Sequence, residues 1–218
     1  MFIRFLKKIF ILLYEIILSM RIFYICSYGG CGSYMLCRYL RNFGKVYHIH
    51  SRMPPNKLTY PIKTPKCPIG SGLFEWLGEI EIENNTLHNY TVIYIYRDPV
   101  KAIYSRFHQP KHLTNIQCDR NIKINDLVKE KKDLYKLNEF FDNYTKSNNR
   151  NYKIYCIKYE MFFDNIKKFN SILKLPDKSS LYPIKREKSN DVFNDENIIK
   201  IYKNLNLKIS KMDFITIV

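Results

Sequence analysis

Two rhythms of apolar residues alternate along this chain. Short unbroken runs stand at 22–27 (IFYICS), 46–50 (VYHIH), 90–96 (YTVIYIY) and 152–157 (YKIYCI). Runs of this length, rich in β-branched and aromatic residues, predict strands, and the longest predicts a central strand buried on both faces. Between them apolar residues recur at three- and four-residue spacing, the pattern of a helix with one buried side. After Ser33 that spacing places Met35, Leu36, Tyr39, Leu40 and Phe43 together, and Gly44 stands where a helix C-cap is expected. Asp98-Pro99 reads as an N-cap followed by the first helical position. Further helices are predicted over 125–144 and 161–173. Residues 52–72 carry five prolines and read as an irregular excursion. Strands alternating with helices predict an α/β fold, a parallel sheet flanked by helices on both faces.

Residues 1–20 follow a different pattern. Phe2, Phe5, Leu6, Ile9, Leu13, Ile16, Ile17 and Met20 form a helical stripe, with Arg4, Lys7, Lys8 and Glu15 displaced from it. The apolar part falls short of the about 20 residues that span a bilayer. The expectation is an N-terminal amphipathic helix that packs on the domain or lies on an anionic membrane surface, followed by one α/β domain over 21–218. Read on through Ile25, the same apolar run would instead be a signal-anchor.

The chain has 218 residues, 36 Lys and Arg against 20 Asp and Glu, and a net charge of +16. With 46% hydrophobic and 15% aromatic residues it can bury a full core, which excludes a disordered or collagen-like chain. The charge favours an anionic partner: a phosphate-bearing cofactor, an acidic polymer such as a glycan, or a membrane surface. Nucleic acid ranks last, because the basic residues are scattered. A solvated basic surface without a specific role is the plain alternative. The six cysteines show no C-x-x-C pairing and fall largely inside apolar runs. They read as buried free thiols in a reducing compartment, without a metal, which points to the cytoplasm. Membrane association or a Golgi-type lumen follows instead if residues 1–20 act as an anchor.

Ligands of a doubly wound sheet bind beyond the carboxyl ends of its strands. After the first strand come Ser27, Tyr28, Gly29, Gly30, Cys31, Gly32, Ser33 and Tyr34. Three glycines in four positions let backbone N–H groups and the next helix N-terminus converge on a phosphate, with the Ser33 hydroxyl as a further donor. The Gly-Lys-Ser/Thr ending of a nucleoside-triphosphatase loop is missing, which argues against magnesium-dependent ATP or GTP hydrolysis. After the 90–96 strand, Arg97 supplies a fixed cation, and Ser105 follows two helical turns into the next helix.

In these two segments the sequence resembles the sulfotransferases that use 3′-phosphoadenosine 5′-phosphosulfate (PAPS), whose P-loop-like fold binds the 5′-phosphosulfate in the loop after the first strand. A strand-Arg-(Asp/Asn)-Pro-helix segment, with Ser eight residues after the Arg, binds the 3′-phosphate in that family. Arg97 and Ser105 match it, and Tyr159-Glu160 resembles a family pair near the adenine. The resemblance implies sulfuryl transfer from PAPS to a hydroxyl or amine acceptor, a glycan among the candidates, with PAP as product and no metal. It also implies a general base. His48 and His50 alternate on one strand and so share a face, and His50, nearer the carboxyl end, is the first choice. Glu75 and Glu79 are carboxylate alternatives. One departure concerns Gly30, where family members carry Lys or Arg; Arg38, Arg52 or Lys57 would have to supply that charge. Another is the C-terminal basic stretch, matched only by 185–188 (KREK). The competing readings are an impaired module that binds PAP or an acidic glycan, and a P-loop kinase-like phosphotransferase.

Overall fold

From Ile22 to Cys26 successive side chains enter two different cores: Tyr24 and Cys26 join one cluster, Phe23 and Ile25 the other. This strand, β1, is therefore covered on both faces, as its unbroken apolar run requires. The structure is a computed structural model and describes residues 21–63, 73–75, 80–107, 109–185 and 195–218. The amphipathic segment 1–20, Cys67, Glu79 and Arg186–Lys188 lie outside the described residues. The signal-anchor reading through Ile25 is corrected, since Ile22–Cys26 pairs on both sides within the sheet.

The elements run in order as β1, α1 (Ser33–Leu40), β2 (Lys45–Ile49), β3 (Ile62–Lys63), β4 (Leu73–Glu75), β5 (Tyr90–Tyr96), α2 (Pro99–Arg106), α3 (Pro110–Asn115), α4 (Ile124–Glu130), α5 (Leu137–Thr145), β6 (Ile154–Lys158), α6 (Tyr159–Phe162), α7 (Ile166–Ile172), α8 (Glu196–Ser210) and β7 (Ile215–Ile217). The strands form one seven-stranded sheet in the order β3-β4-β2-β1-β5-β6-β7. The five from β4 to β6 are parallel, and β3 and β7 close the two edges antiparallel. Residues from α2, α5 and α8 pack with Tyr24 and Tyr94 on one face. On the other, residues from α1, α6 and α7 cover Phe23, Ile93 and Ile157. The expected α/β fold with helices on both faces is present.

Chain direction decides where a ligand would sit. From β1 the chain steps outward to β2 and β4, then returns to place β5 on the other side of β1 and continues to β6. The order reverses between β1 and β5, and such a switch point opens a crevice beyond the strand ends.

Three local expectations differ from the structure. The 125–144 helix is two helices, α4 and α5, because Lys131 and Lys136 take positive φ between them. Asp133 starts the second, its carboxylate accepting the N–H groups of Leu137 at 3.1 Å and Asn138 at 2.8 Å and the Tyr202 hydroxyl at 2.6 Å. Asp133→Ala is expected to cost about 2–3 kcal/mol, a lost cap plus an orphaned hydroxyl, read as a lower urea midpoint. The 161–173 helix likewise starts earlier, at Tyr159, and is interrupted by the 3-10 turn Phe163–Asn165. Gly44 is not a C-cap, as α1 ends at Leu40; a Cβ there would stand 2.2 Å from the Arg21 carbonyl oxygen, so the glycine permits close chain approach.

Candidate functional site

The loop between β1 and α1 is shaped by its glycines. Gly29, Gly30 and Gly32 have φ of 92°, 67° and 78°, values that side-chain-bearing residues avoid. At Gly30 the constraint is also spatial: a Cβ would lie 2.6 Å from the Ala102 carbonyl oxygen, on the α2 backbone. Gly32 caps α1 with no side-chain acceptor for the first N–H groups. Those N–H groups therefore face the loop with the positive end of the helix dipole behind them. Inside the loop, the Gly29 N–H donates to Ser27 Oγ at 3.2 Å, Ser27 Oγ donates to Ser33 Oγ at 3.0 Å, and the Cys31 thiol donates to the Gly29 carbonyl at 2.9 Å.

The second loop is tied to the first. The Tyr28 hydroxyl donates to the Arg97 carbonyl and accepts the Arg97 N–H at 3.1 Å, while Arg97 Nη1 donates to the Gly30 carbonyl at 3.0 Å. The guanidinium also lies over the Tyr159 ring, 5.0 Å from its centroid, and 4.0 Å from Glu160. Glu160 holds the other side of this junction by accepting the Asp98 N–H at 3.0 Å. Asp98 in turn caps α2 as expected, accepting the Lys101 N–H at 2.9 Å. The buried Arg97 Nε and Glu160 Oε2 each lack a hydrogen-bond partner. A donor and an acceptor left open beside an uncapped helix end fit a polar, anion-bearing ligand.

His48 and His50 do share a face, with ring centroids 4.3 Å apart. His48 Nε2 lies 2.9 Å from Ser33 Oγ and so touches the first residue of α1 directly. His50 is 7% exposed, and its Nδ1 lacks a partner. Burial pushes its pKa down to about 4, and burial with neighbouring His50 and Arg41 drives that of His48 well below the ordinary range. Both rings are neutral at pH 7 and able to accept a proton.

The three substitute cations are placed elsewhere. Arg52 is buried, its guanidinium donating to the carbonyls of Ile116 and Gln117 at 2.8 Å and pairing with Glu139 at 3.7 Å. It clasps the segment after α3 instead of reaching the glycine loop. Lys57 pairs with Glu81 at 2.9 Å, and Arg38 is exposed in the last turn of α1. The cation at Gly30 is Arg97 itself. Ser105 lies in α2 and is half-buried, Tyr34 is 57% exposed, and Glu75 is the last residue of β4. The Tyr28 brace, the Ser27–Ser33–His48 chain and the part played by Glu160 depend on contacts between distant segments. A cleft of about 540 Å³ between Met53–Asn56 and Asp142–Arg150 shares no residue with either loop.

No model of a known protein family, no curated protein and no solved structure matches this chain significantly.

Proposed function

We propose that this chain is a PAPS-dependent sulfotransferase acting on a hydroxyl or amine acceptor. The observation that carries the reading is the junction at the switch point, where a glycine cradle and the Arg97 loop meet around one guanidinium. Bound PAPS would supply an activated sulfuryl group with a phosphate as leaving group. The loop N–H groups and Ser33 would hold the 5′ end, and Arg97 with Ser105 the 3′-phosphate, with the Tyr159 ring beside them. Sulfuryl transfer breaks a sulfur–oxygen bond to phosphate and forms a sulfur–oxygen bond to a hydroxyl acceptor or a sulfur–nitrogen bond to an amine, whose proton passes to a base. His50 takes that role in this reading, being neutral and unpartnered at Nδ1.

A second reading, a module that binds the nucleotide without transfer, is favoured by one observation. A buried imidazole with a pKa of about 4 is a weak base at pH 7.

Calorimetry with PAP and ATP tests the proposal. PAP is expected to bind in preference to ATP, and Arg97→Ala to weaken PAP by about 30–150-fold, the scale of a charge-assisted contact of about 2–3 kcal/mol. Equal affinity for PAP in wild type and variant would remove Arg97 from the site.

A further inference from the structure

We propose that the cleft between Met53–Asn56 and Asp142–Arg150 is a binding site for a small carboxylate with an apolar body, of the arylacetate kind, seated on the Arg150 guanidinium. The site stands apart from the two loops and does not depend on the sulfotransferase reading.

The cleft is preformed. Its first wall, 53–56, lies against the end of α5 and the segment that leads into β6. Asn143 Nδ2 donates to the Arg52 carbonyl at 3.2 Å, the Tyr152 hydroxyl to the Pro55 carbonyl at 2.6 Å, and the Asn151 N–H to the Asn56 carbonyl at 3.0 Å. These bonds pin the main chain of one wall to the other, so the space of about 540 Å³ between them needs no opening motion. Its size suits a single small ligand.

Charge selects an anion. Three cations stand at the second wall: Lys146, Arg150 and, bonded to the lining residue Asp142, Lys208. Asp142 is the carboxylate that lines the cleft, and both lysines pair with it, at 3.0 and 2.7 Å. Arg150 forms an ion pair with none of the described carboxylates. The carbonyl end of α5 offsets about half a charge, which leaves the cleft net positive. The guanidinium is also held in place. Its Nη1 and Nη2 donate to the carbonyls of Lys146 at 3.3 Å and Asn143 at 2.5 Å, while the buried Nε lacks a partner. Two of its five N–H groups are thus engaged, so ordering it for a ligand costs little further side-chain entropy. A planar fork with N–H groups to spare matches a planar carboxylate.

The first wall decides what the carboxylate is attached to. Met53, Pro54 and Pro55 present apolar side chains, and Met53 is 64% exposed at the rim. On the second wall much of the polar capacity is spent: Asn143 Nδ2 on Arg52, Asn148 Oδ1 on the Asn149 N–H, and Asp142 on two lysines. A ring bearing several hydroxyls would find few open partners, whereas an apolar body removes the Met53 side chain from water.

The full chain, labelled with ¹⁵N and with ¹³C at its methionine methyls, is titrated with phenylacetate, glucuronate and inorganic sulfate. Phenylacetate should bind with a millimolar or lower Kd and shift the Arg150 Nε–H and Met53 methyl signals together. Sulfate should move the Arg150 signal alone, and glucuronate should bind more weakly than phenylacetate. Met53→Ser, at an exposed rim position, should weaken phenylacetate by about threefold or more and leave sulfate unchanged. Arg150→Lys keeps the charge but loses the fork, and should weaken both by about tenfold. Because Arg150 also holds the end of α5, the Met53 variant carries the test if Arg150→Lys does not fold. Phenylacetate that moves neither signal up to about 10 mM, or that binds Met53→Ser as well as wild type, would overturn the site. Glucuronate bound more tightly than phenylacetate would overturn it too. PAP binding is untouched by either result, since the cleft and the loops share no residue.

Discussion

A Gly30→Lys variant is expected to lose about 2–5 kcal/mol of folding stability and to bind PAP less tightly, the sum of a backbone and a packing cost. The sulfotransferases that the sequence resembles carry a cation at the position matched by Gly30, so the sequence alone makes adding one look like a gain. The backbone says otherwise. At φ 67° an L-residue is strained by about 1–2 kcal/mol, and the new Cβ would stand 2.6 Å from the Ala102 carbonyl oxygen and 2.9 Å from its Cα. Both are main-chain atoms of α2, so relief requires moving the helix away from the loop, an overpacking cost of about 1–3 kcal/mol. That movement would also part Arg97 from the Gly30 carbonyl. Urea denaturation and PAP calorimetry on the variant test this together. A Gly30→Lys protein as stable as the wild type, with tighter PAP binding, would show that the loop has room for the cation.

Acid should destabilise the fold well before its carboxylates titrate. His50 is buried with its pKa pushed down to about 4, against about 6.5 in an unfolded chain. Between those values the unfolded state binds more protons than the folded one, so stability falls as pH falls. The contribution is complete above about pH 6.5 and lost as the pH drops toward 4. At about 1.4 kcal/mol per pH unit it amounts to about 3 kcal/mol for His50. His48, shifted in the same direction, adds to it. Asp142 acts in a lower window: burial raises its pKa, but bonded Lys208 and Lys146 outweigh that and hold it below the ordinary carboxylate range. Urea midpoints measured at pH 7, 5.5 and 4 should fall in the wild type and fall less in His50→Gln. Parallel curves for the two proteins would mean that His50 is accessible to protons in the folded state.

The sheet was legible in the sequence because its strands are buried on both faces. Tyr90–Tyr96 has the predicted boundaries, and the 46–50 and 152–157 runs shift by only one or two residues at their ends, to β2 and β6. What periodicity missed was backbone geometry set from outside the segment. Nothing in the apolar spacing of 125–144 shows that Lys131 and Lys136 turn to positive φ, because Asp133 is recruited by Tyr202, far along the chain. The edges were hidden for a related reason. β3 and β7 are two and three residues long, too short for an alternation to show. At the site, the glycine loop and Arg97 were each legible as a segment that follows a strand end. That Arg97 stands at Gly30, and that Arg52 is committed to the carbonyls of Ile116 and Gln117, follows only from how α2 and α3 pack.

Cys31 gives the cradle a clock. Its sulfur is fully buried within the glycine loop against the Gly29 carbonyl, and burial raises its pKa, so thiolate scarcely forms there in the closed state. Cys26, Cys37 and Cys156 are buried and shifted alike, but they belong to β1, α1 and β6, whose opening is tied to loss of the core. Reaction of Cys31 with a soluble alkylating reagent therefore times the opening of the loop, while reaction of the other three times the breathing of the sheet. The ratio of those rates separates a cradle held shut by the Arg97 and Tyr28 clasps from one that exchanges freely with solvent.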